Sequence, residues 1–441
     1  MRILLSLSFF CLATILSAQD KVWNLNQCMQ YAVEHSTKRA KQNAQNKIYN
    51  QNYSEAIAGL LPKVNANIGT TFSFGRGLDS ETNTYVDRNS FSNSYNIYAS
   101  VLLFDGLTQI SKIKMQKINR LMGKEQLRQT EDMLAFETME LFFNVLYYQG
   151  TVNLAQQQLE ESQSFLKQVN RMEELGLKAA PDVLEIKAKA ASDKYNVIKQ
   201  QNLLEIETIK LKEKMNFPID SVLRIDTLTN IDFLPLTESE DALSIFGKAI
   251  NYSPKVQTSE KAFEAQKAQY KSSRGSLFPS LYFETGYSTS FSRWMDGSDY
   301  TPFRDQIRDR RGHYFAFTLS IPIFDGLSSI STVKRSKQNM IIAQYVYEET
   351  KRTVYSEIEQ AVADMNGQAE EYQQALQQED AMEAAHKVNQ RKYTEGLISA
   401  LELNTSANRY LNSRVEKLNA GLKYNLKSRL VKYYKGEPFI Q

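Results

Sequence analysis

The side chains that could carry out chemistry are few in this chain, and they are scattered. Its three histidines, His35, His313 and His386, fall on different segments, and none belongs to a metal-ligand spacing such as HExxH. The sequence also contains no GxSxG nucleophile motif and no phosphate-binding glycine loop. We therefore predict that the protein is not an enzyme and that it carries no metal and no cofactor.

Cysteine chemistry is equally limited. Of the two cysteines in the 441 residues, Cys11 falls inside a secretory signal that we place at residues 1–18, with Arg2 as its charged start and an apolar run over 3–15. The mature chain then keeps only Cys28, which excludes an intramolecular disulfide framework and a multi-cysteine metal site. We expect this thiol to pack as a small hydrophobic side chain.

The charge balance excludes another class of partner. The chain has 53 basic and 50 acidic residues, so it offers no strongly basic surface for nucleic acid. After the signal, no stretch approaches the roughly 20 apolar residues that a membrane-spanning helix requires. We therefore expect an exported protein without a helical membrane anchor.

Two long stretches without proline organise the rest of the chain. They cover residues 107–175 and 327–395, and each follows directly on an identical Phe-Asp-Gly and begins with a leucine. Each ends at a Gly-Leu pair that begins at Gly176 or Gly396. As continuous helices of roughly 70 residues they would span about 100 Å, which no globular domain needs.

These stretches belong to an internal duplication. Ala32 and Ala249, like Pro62 and Pro279, are offset by 217 positions, and self-similarity at a fixed offset indicates repeated structural units. The predicted boundaries are a first repeat over 24–215 (helix, β-hairpin 62–104, long helix 107–175, return helix 182–215), a linker over 216–240, and a second repeat over 241–437 (helix, β-hairpin 279–324, long helix 327–395, return helix 402–435).

Each repeat is expected to begin with a helix. We predict helices over 24–60 and 239–274, with Pro254 bending the second one or marking its entry. The linker contains a short possible strand over 222–228, and residues 292–312 form a loop between the second pair of strands.

The four predicted strands alternate between apolar and polar residues over about ten positions each. The fourth, for example, is marked by Phe315, Phe317, Leu319, Ile321 and Ile323. These are the length and period of strands in a membrane-spanning barrel. Because a barrel in lipid must close, the missing strands would have to come from other copies of the chain. A soluble antiparallel sheet with one buried face has the same period, and the strands alone favour it slightly.

Taken together, the ordered elements resemble the TolC-like outer-membrane efflux proteins. The resemblance covers about Asn24 to Lys435. Its most specific motifs are Ile323-Phe324-Asp325-Gly326, Gly176 through Pro181-Asp182-Val183-Leu184, and Tyr393 through Gly396-Leu397-Ile398-Ser399.

The resemblance implies a fold that is mostly α with β and is internally duplicated. A trimeric outer-membrane β-barrel, with four strands from each chain, would continue as a long α-helical barrel in the periplasm of a Gram-negative bacterium. The implied function is the passive exit duct of a tripartite efflux pump. Its partners would be the other two copies of the chain, outer-membrane lipid, a periplasmic membrane-fusion adaptor and an inner-membrane transporter.

The resemblance also assigns roles to residues near the glycine turns. In the family, acidic residues after these turns ring the periplasmic entrance and help to close it, and the matching positions are Asp182, Glu185 and Glu402. Tyr393 matches a tyrosine of the closed-state network. A ring of carboxylates in a narrow pore favours cations. The turn positions implied to dock the adaptor are Gly176, Leu177, Gly396, Leu397 and Ser399.

Two departures distinguish the repeats at this site. Thr405 in the second repeat occupies the position that matches Glu185 in the first. Glu173 in the first repeat occupies the position that matches Tyr393 in the second. The carboxylate ring would therefore be less acidic than in some members of the family. Asp182 and Glu402 also lie in the first turns of helices, where the helix dipole favours acidic residues, and the two roles are compatible.

Other interpretations remain open from the sequence. The same duct would serve type I protein secretion, since selection would occur upstream of it. A secreted structural coiled-coil protein with a soluble head is the alternative from a different class. The arginine run at 304–311 is interpreted as a solvated external loop, with lipopolysaccharide contact as its alternative.

Overall fold

The computed structural model describes residues 22–79, 82–226 and 241–440. The predicted signal peptide and residues 227–240 of the predicted linker lie outside the described residues. The described elements follow in chain order.

The first half contains β1 (Val22–Trp23), α1 (Leu25–His35), α2 (Thr37–Ala58), β2 (Lys63–Ser73), β3 (Arg76–Leu78), β4 (Tyr85–Asp87), β5 (Ser90–Phe104), α3 (Thr108–Glu174), α4 (Ala180–Met215) and β6 (Arg224–Ile225). The second half contains α5 (Ala242–Tyr252), α6 (Pro254–Gly275), β7 (Ser280–Trp294), α7 (Phe303–Asp309), β8 (Gly312–Ser320), α8 (Ser328–Thr394) and α9 (Ala400–Tyr434).

The chain forms two compact units. A helical unit comprises residues up to 41 together with 127–253 and 352–441, and a sheet unit comprises 42–126 and 254–351. Both units therefore draw on both repeats, and three helices (α2, α3 and α8) have residues in each unit.

The sheet unit contains one four-stranded antiparallel sheet in the order β2-β5-β7-β8. Each predicted hairpin is present, and the two hairpins pair with each other through β5 and β7. The register puts the predicted apolar sides on one face. A single row across the four strands contains Val64, Ala99, Thr285 and Phe315. We call this side of the sheet the apolar face.

Two details of the second hairpin differ from the prediction. β8 ends at Ser320, so Ile321 and Ile323 lie outside the strand. Pro322 explains this end, because proline has no N–H to donate to a strand ladder. The predicted loop over 292–312 also contains the short helix α7, which the mixture of arginine and aspartate did not reveal.

The first helix of each repeat is interrupted at matching positions. The unbroken helix predicted over 24–60 is wrong, whereas the prediction that Pro254 marks a helix entry is confirmed by the start of α6. α1 ends at Ser36, and the hydroxyl of Ser36 accepts a hydrogen bond from Lys38 N (3.1 Å) at the start of α2. At the position offset by 217, Ser253 ends α5, and Pro254 begins α6. A serine hydroxyl competes for backbone groups, and a residue before proline is forced out of the helical region.

The long helices are continuous, and each has 67 residues. The repeated Phe-Asp-Gly-Leu explains where they begin. The carboxylates of Asp105 and Asp325 accept hydrogen bonds from the backbone N–H of Gln109 and Ser329, each at 2.8 Å. A carboxylate at this position satisfies an unpaired N–H of the first helical turn.

The core of the helical unit is built from α1, α3, α4 and the end of α9. Its centre contains Met139, Phe142 and Leu211, all fully buried, and Cys28 is buried with them. Burial raises the pKa of the Cys28 thiol to about 12. The prediction that this cysteine packs as a small hydrophobic side chain is confirmed. Residues 222–226 are the described part of the predicted linker strand. Within them Arg224–Ile225 forms a short strand, which pairs in parallel with Val22–Trp23.

Candidate functional site

The two glycine turns have the same backbone. Gly176 and Gly396 adopt left-handed conformations with φ of +73° and +78°, which favour glycine because it has no Cβ. At each turn the next residue donates a hydrogen bond five residues back, from Leu177 to Met172 O and from Leu397 to Lys392 O, both at 2.8 Å. This Schellman arrangement ends α3 and α8 and satisfies their last carbonyl groups.

The helices that leave the turns start differently. The hydroxyl of Ser399 caps α9 by accepting a hydrogen bond from Glu402 N at 3.2 Å. The matching Ala179 makes no side-chain cap for α4, which has Pro181 in its first turn instead. Proline is favoured there because its missing N–H would be unpaired in any case.

Beneath the turns lies a small hydrophobic cluster that we call the tip core. Its central side chain is Tyr393, which is only 1% exposed. Phe165 packs against the Tyr393 ring with centroids 5.4 Å apart. The hydroxyl of Tyr393 has no hydrogen-bond partner among the residues that the structure describes. The tip core consists of Val169, Val183, Ile186, Tyr393, Ala400 and Leu403.

Lys178 joins the first turn to the end of α8. Its ammonium group donates to the backbone oxygen of Tyr393 at 3.1 Å and lies 4.0 Å from the centroid of the Tyr393 ring. The contact therefore combines a charge-assisted hydrogen bond with a cation–π interaction. Sequence reasoning missed Lys178. The available signal was the difference between the repeats, since Ile398 occupies the matching position.

The structure brings two of the three candidate carboxylates close to Tyr393. Burial raises the pKa of the Tyr393 hydroxyl, and the negative charges of Asp182 and Glu185 raise it further. Glu402 is exposed on the first turn of α9. Tyr393 therefore interacts electrostatically with Asp182 and Glu185, which both lie on α4. Glu402 lies on a different helix, α9.

Several leucines at and beside the turns are exposed. Leu177 and Leu397 are 68% and 67% exposed. Three further leucines that sequence reasoning missed are also exposed, and together these five side chains form what we call the turn leucines. Exposed apolar groups of this kind mark sites of interaction with other proteins. The three further leucines are Leu175, Leu184 and Leu401.

A cavity of about 40 Å³ lies beside the tip core. His386 lines it, is 5% exposed and stacks on Tyr410 with ring centroids 5.8 Å apart. Burial lowers the pKa of His386, and the neighbouring Lys189 lowers it further. Lys189 is itself paired with Asp193 in the buried part of α4. Glu161 lines the same cavity, and burial raises the pKa of its carboxyl group.

Neither a metal site nor a spanning helix emerges from the described ranges. Over residues 22–79, 82–226 and 241–440, no group of three or more His, Cys, Asp or Glu side chains is placed to hold a metal ion. Within those ranges, no helix combines the length and the apolar composition needed to cross a membrane.

Comparison with known proteins gives a consistent result. A family model described as outer membrane efflux protein matches residues 30–216 and 245–431, one match in each repeat. The outer membrane protein TolC of Escherichia coli (strain K12) is 22% identical over 433 residues, which cover 94% of this chain and 83% of TolC.

Solved structures share the fold over nearly the whole chain. The channel-forming protein CusC matches with a TM-score of 0.79 and 15% identity, over 93% of this chain and 92% of CusC. The outer membrane protein VceC of Vibrio cholerae matches with a TM-score of 0.78 and 13% identity, over 94% of this chain and 96% of VceC. With both repeats matched by the family model, the chain belongs to the outer membrane efflux protein family, whose place is the Gram-negative outer membrane and whose role is that of an exit duct.

Proposed function

We propose that three copies of this chain form the passive exit duct of a tripartite efflux pump. The observation that carries the proposal is the four-stranded sheet, whose apolar face is exposed and whose outer strands β2 and β8 each have one edge without a strand partner in the described chain. Ile68 and Phe315, on these outer strands, are both 75% exposed.

An open sheet edge cannot persist in lipid, because its N–H and C=O groups would lack hydrogen-bond partners. Copies of the same chain supply the partner that such a sheet needs, with β8 of one copy beside β2 of the next. The alternating exposure of apolar side chains then faces lipid, as in outer-membrane barrels. The number three comes from the resemblance to TolC-like proteins.

The glycine turns are proposed as the periplasmic end of the duct. The turn leucines supply an apolar surface for a periplasmic adaptor, and Gly176, Gly396 and Ser399 hold that surface in shape. An inner-membrane transporter would supply the energy, since the chain offers no site for nucleotide chemistry among its motifs.

Asp182, Glu185, Glu402 and Tyr393 are proposed to form the gate at this end. Tyr393 and Lys178 tie the two turns of one chain together, and the carboxylates present negative charge beside them. In a narrow entrance these charges favour cations and repel one another, so their protonation or removal would loosen the closed arrangement.

The duct is tested by planar-bilayer conductance of detergent-extracted protein, with its oligomeric mass measured in the same preparation. The expected result is a trimer with small, cation-selective openings. A water-soluble monomer or dimer without conductance would overturn the proposal.

The gate is tested in the same bilayers with Asp182→Ala combined with Glu402→Ala. The conductance of this double variant should exceed that of the wild type. The matched control is Glu205→Ala with Glu213→Ala, which removes two exposed carboxylates from α4 far along the helix from the turn. An unchanged conductance in the first pair, or an equal increase in the control, would count against a gate at the turns.

A further inference from the structure

The loop between β7 and β8 folds back and packs on the apolar face. A passive duct does not need this contact. β7 runs six residues beyond its pairing with β8, which stops at Ser288. Along that free edge, the side-chain amide of Gln306 accepts from Ser292 N and donates to Ser292 O, both at 2.9 Å. Gln306 therefore replaces a neighbouring strand at this point and fixes α7 to the end of the sheet.

One side of α7 packs on the apolar face. The ring of Phe303 lies 5.2 Å from that of Phe291 and 6.4 Å from that of Tyr95. The hydroxyl of Thr289 donates to the backbone oxygen of Ile307 at 2.8 Å. Tyr95, Thr289 and Phe291 all belong to the apolar face by the strand register. The proposed barrel would turn this face to lipid, so α7 would lie at the lipid boundary.

The opposite side of α7 carries arginine. Arg304 and Arg308 are spaced four residues apart on one side of the helix, and Arg310 and Arg311 follow directly. Arg293 extends from the apolar face itself, with its guanidinium 5.6 Å from the ring centroid of Phe91. We call Arg293, Arg304, Arg308, Arg310 and Arg311 the arginine rim.

Most of the nearby aspartates are already paired. Asp305 and Asp309 contact Arg308 at 3.4 and 2.9 Å. Asp296 contacts Arg88 at 3.3 Å. Arg304 and Arg311 are both exposed, and Arg311 lies close enough to Asp309 to interact with it electrostatically. Arg310 donates to the hydroxyl of Ser292 at 2.6 Å.

Aromatic rings complete the surface. Tyr300 packs on Phe291 of the apolar face, with ring centroids 5.8 Å apart. Trp294 ends β7 on the other face of the sheet by the strand register, with the Arg88 guanidinium 5.9 Å from its ring centroid. Aromatic side chains with a polar end favour the boundary between hydrocarbon and headgroups. Arginine binds phosphate oxygens through two parallel N–H groups, which gives it an advantage over lysine for this anion.

We propose that the arginine rim binds the phosphate groups of a phosphorylated glycolipid in the outer leaflet, with Phe303 and Tyr300 in its acyl region. This inference rests on the proposed barrel, because it needs the apolar face to contact lipid. The hairpin loops lie at the end of the sheet opposite to α3 and α8, which begin after the other strand ends. With the helices in the periplasm, the rim therefore lies at the outer leaflet.

The test uses the full-length protein in detergent micelles, titrated with bisphosphorylated lipid A. Binding is followed by tryptophan fluorescence in a Trp23→Phe, Trp294→Phe, Tyr300→Trp background, which puts the single tryptophan beside Phe291 on the apolar face. Arg304→Gln with Arg311→Gln should weaken the affinity for lipid A about tenfold or more, because the phosphates lose their charged hydrogen bonds to both guanidinium groups. Lipid A from which the phosphates have been removed should bind the wild type with a similar loss.

The matched control is Lys334→Gln with Arg335→Gln, which removes the same charge from exposed positions on α8 at the other end of the sheet. It should change the affinity by about twofold at most, as expected for exposed charges away from the ligand. Equal affinity of the rim variant and the wild type for lipid A would overturn the proposal. Equal binding of phosphorylated and dephosphorylated lipid A would do so as well.

Two further measurements separate related outcomes. Inorganic phosphate at millimolar concentration should not displace lipid A; full displacement would indicate a site for free anions and would overturn the assignment to lipid. Bilayer conductance of the rim variant should match that of the wild type. If the rim variant conducts normally and binds lipid A as tightly as the wild type, the lipid site is excluded and the duct is not. If the wild type does not conduct, the proposed duct is excluded.

Discussion

The two glycine turns have one backbone and two sets of side chains. Both use a left-handed glycine and the same pair of hydrogen bonds to reverse the chain. The first turn contributes Lys178 and the carboxylates of Asp182 and Glu185, which surround the tyrosine. The second turn contributes that tyrosine, Tyr393, and the capping Ser399.

This difference shows how a duplicated fold can divide one task between its copies. The shared glycine preserves the reversal of direction, which both repeats need. The side chains around the glycine differ between the turns. The second turn supplies the buried ring of Tyr393, and the first supplies the cation Lys178 and the acids Asp182 and Glu185. Substitutions that remove or exchange side chains of one turn therefore test whether the two turns differ in their contributions.

The largest effect is expected from Tyr393→Ala. Removing a fully buried aromatic ring leaves a cavity, and such substitutions cost about 3–5 kcal/mol. The matching Glu173→Ala changes an exposed side chain and should cost about 0.5 kcal/mol or less. Hydrogen exchange of the amides in α8 and α9 next to the turn measures both. Equal loss of protection in the two variants would contradict the division between the turns.

A second, smaller effect is expected from Lys178→Met. It removes the hydrogen bond to Tyr393 O and the contact with the ring, which together contribute about 1–2 kcal/mol at a partly exposed site. Lys187→Met is the matched control, because this lysine is exposed on α4 and lies outside the tip core. Faster exchange of the amides around residue 393 in the first variant only would confirm the link between the turns.

The caps allow an exchange between the repeats. Ser399→Ala should destabilise the start of α9 by about 1 kcal/mol, whereas Ala179→Ser should stabilise the start of α4 by about 0.5 kcal/mol. The amides of the first helical turns report both changes by hydrogen exchange. If Ser399→Ala left the exchange of the first amides of α9 unchanged, the hydroxyl of Ser399 would have no capping role.

The smallest effect is expected from pH, through His386, which matches Leu166 in the first repeat. Its pKa is lowered in the folded protein, mainly by burial, so the unfolded chain binds the proton more tightly. Its contribution to stability is complete above the ordinary pKa of 6.5 and is lost as the pH falls below that value. His386→Leu should remove this decrease.

Glu161 makes the effect of His386 small, because it acts in the opposite direction. Burial raises the pKa of this carboxyl group above its ordinary 4.5, so the folded protein binds the proton more tightly than the unfolded chain. The contribution of Glu161 therefore stabilises the folded protein as the pH falls towards 4.5. Melting temperatures of wild type and His386→Leu between pH 7.5 and 5 measure the difference. A decrease of the same size in both proteins would exclude His386 as its source. Lys189, Glu161 and the ring of Tyr410 lie around His386, and Arg414 and Asp193 act electrostatically on Glu161.

Much of the fold could be predicted because repetition reinforces weak local signals. The long helices and the hairpins appear twice in the same order, and family membership decides against a secreted structural coiled-coil protein. The break at Ser36 was missed, whereas Pro254 had indicated a bend or a helix start at the matching point of the second repeat. A single serine is a weak signal in a polar helix, and the apolar period continues through it.

The candidate site was only partly accessible to sequence reasoning. The glycines could be identified because a left-handed turn leaves few choices of residue. The contact of Lys178 with Tyr393 could not, because the two residues are 215 positions apart in the chain. The same holds for Gln306, whose amide acts as a strand partner only because the loop folds back onto β7.

By itself, the sequence determined the duplication, the alternating strands, the proline-free helices and the turns between them. These features follow from local rules of backbone conformation and side-chain period, which act within a few residues. The tertiary structure alone decided that the two hairpins join into one sheet, that Tyr393 is buried beneath Lys178, and that α7 covers the end of β7. Those outcomes depend on contacts between distant segments, and only the packing of the folded chain selects among them.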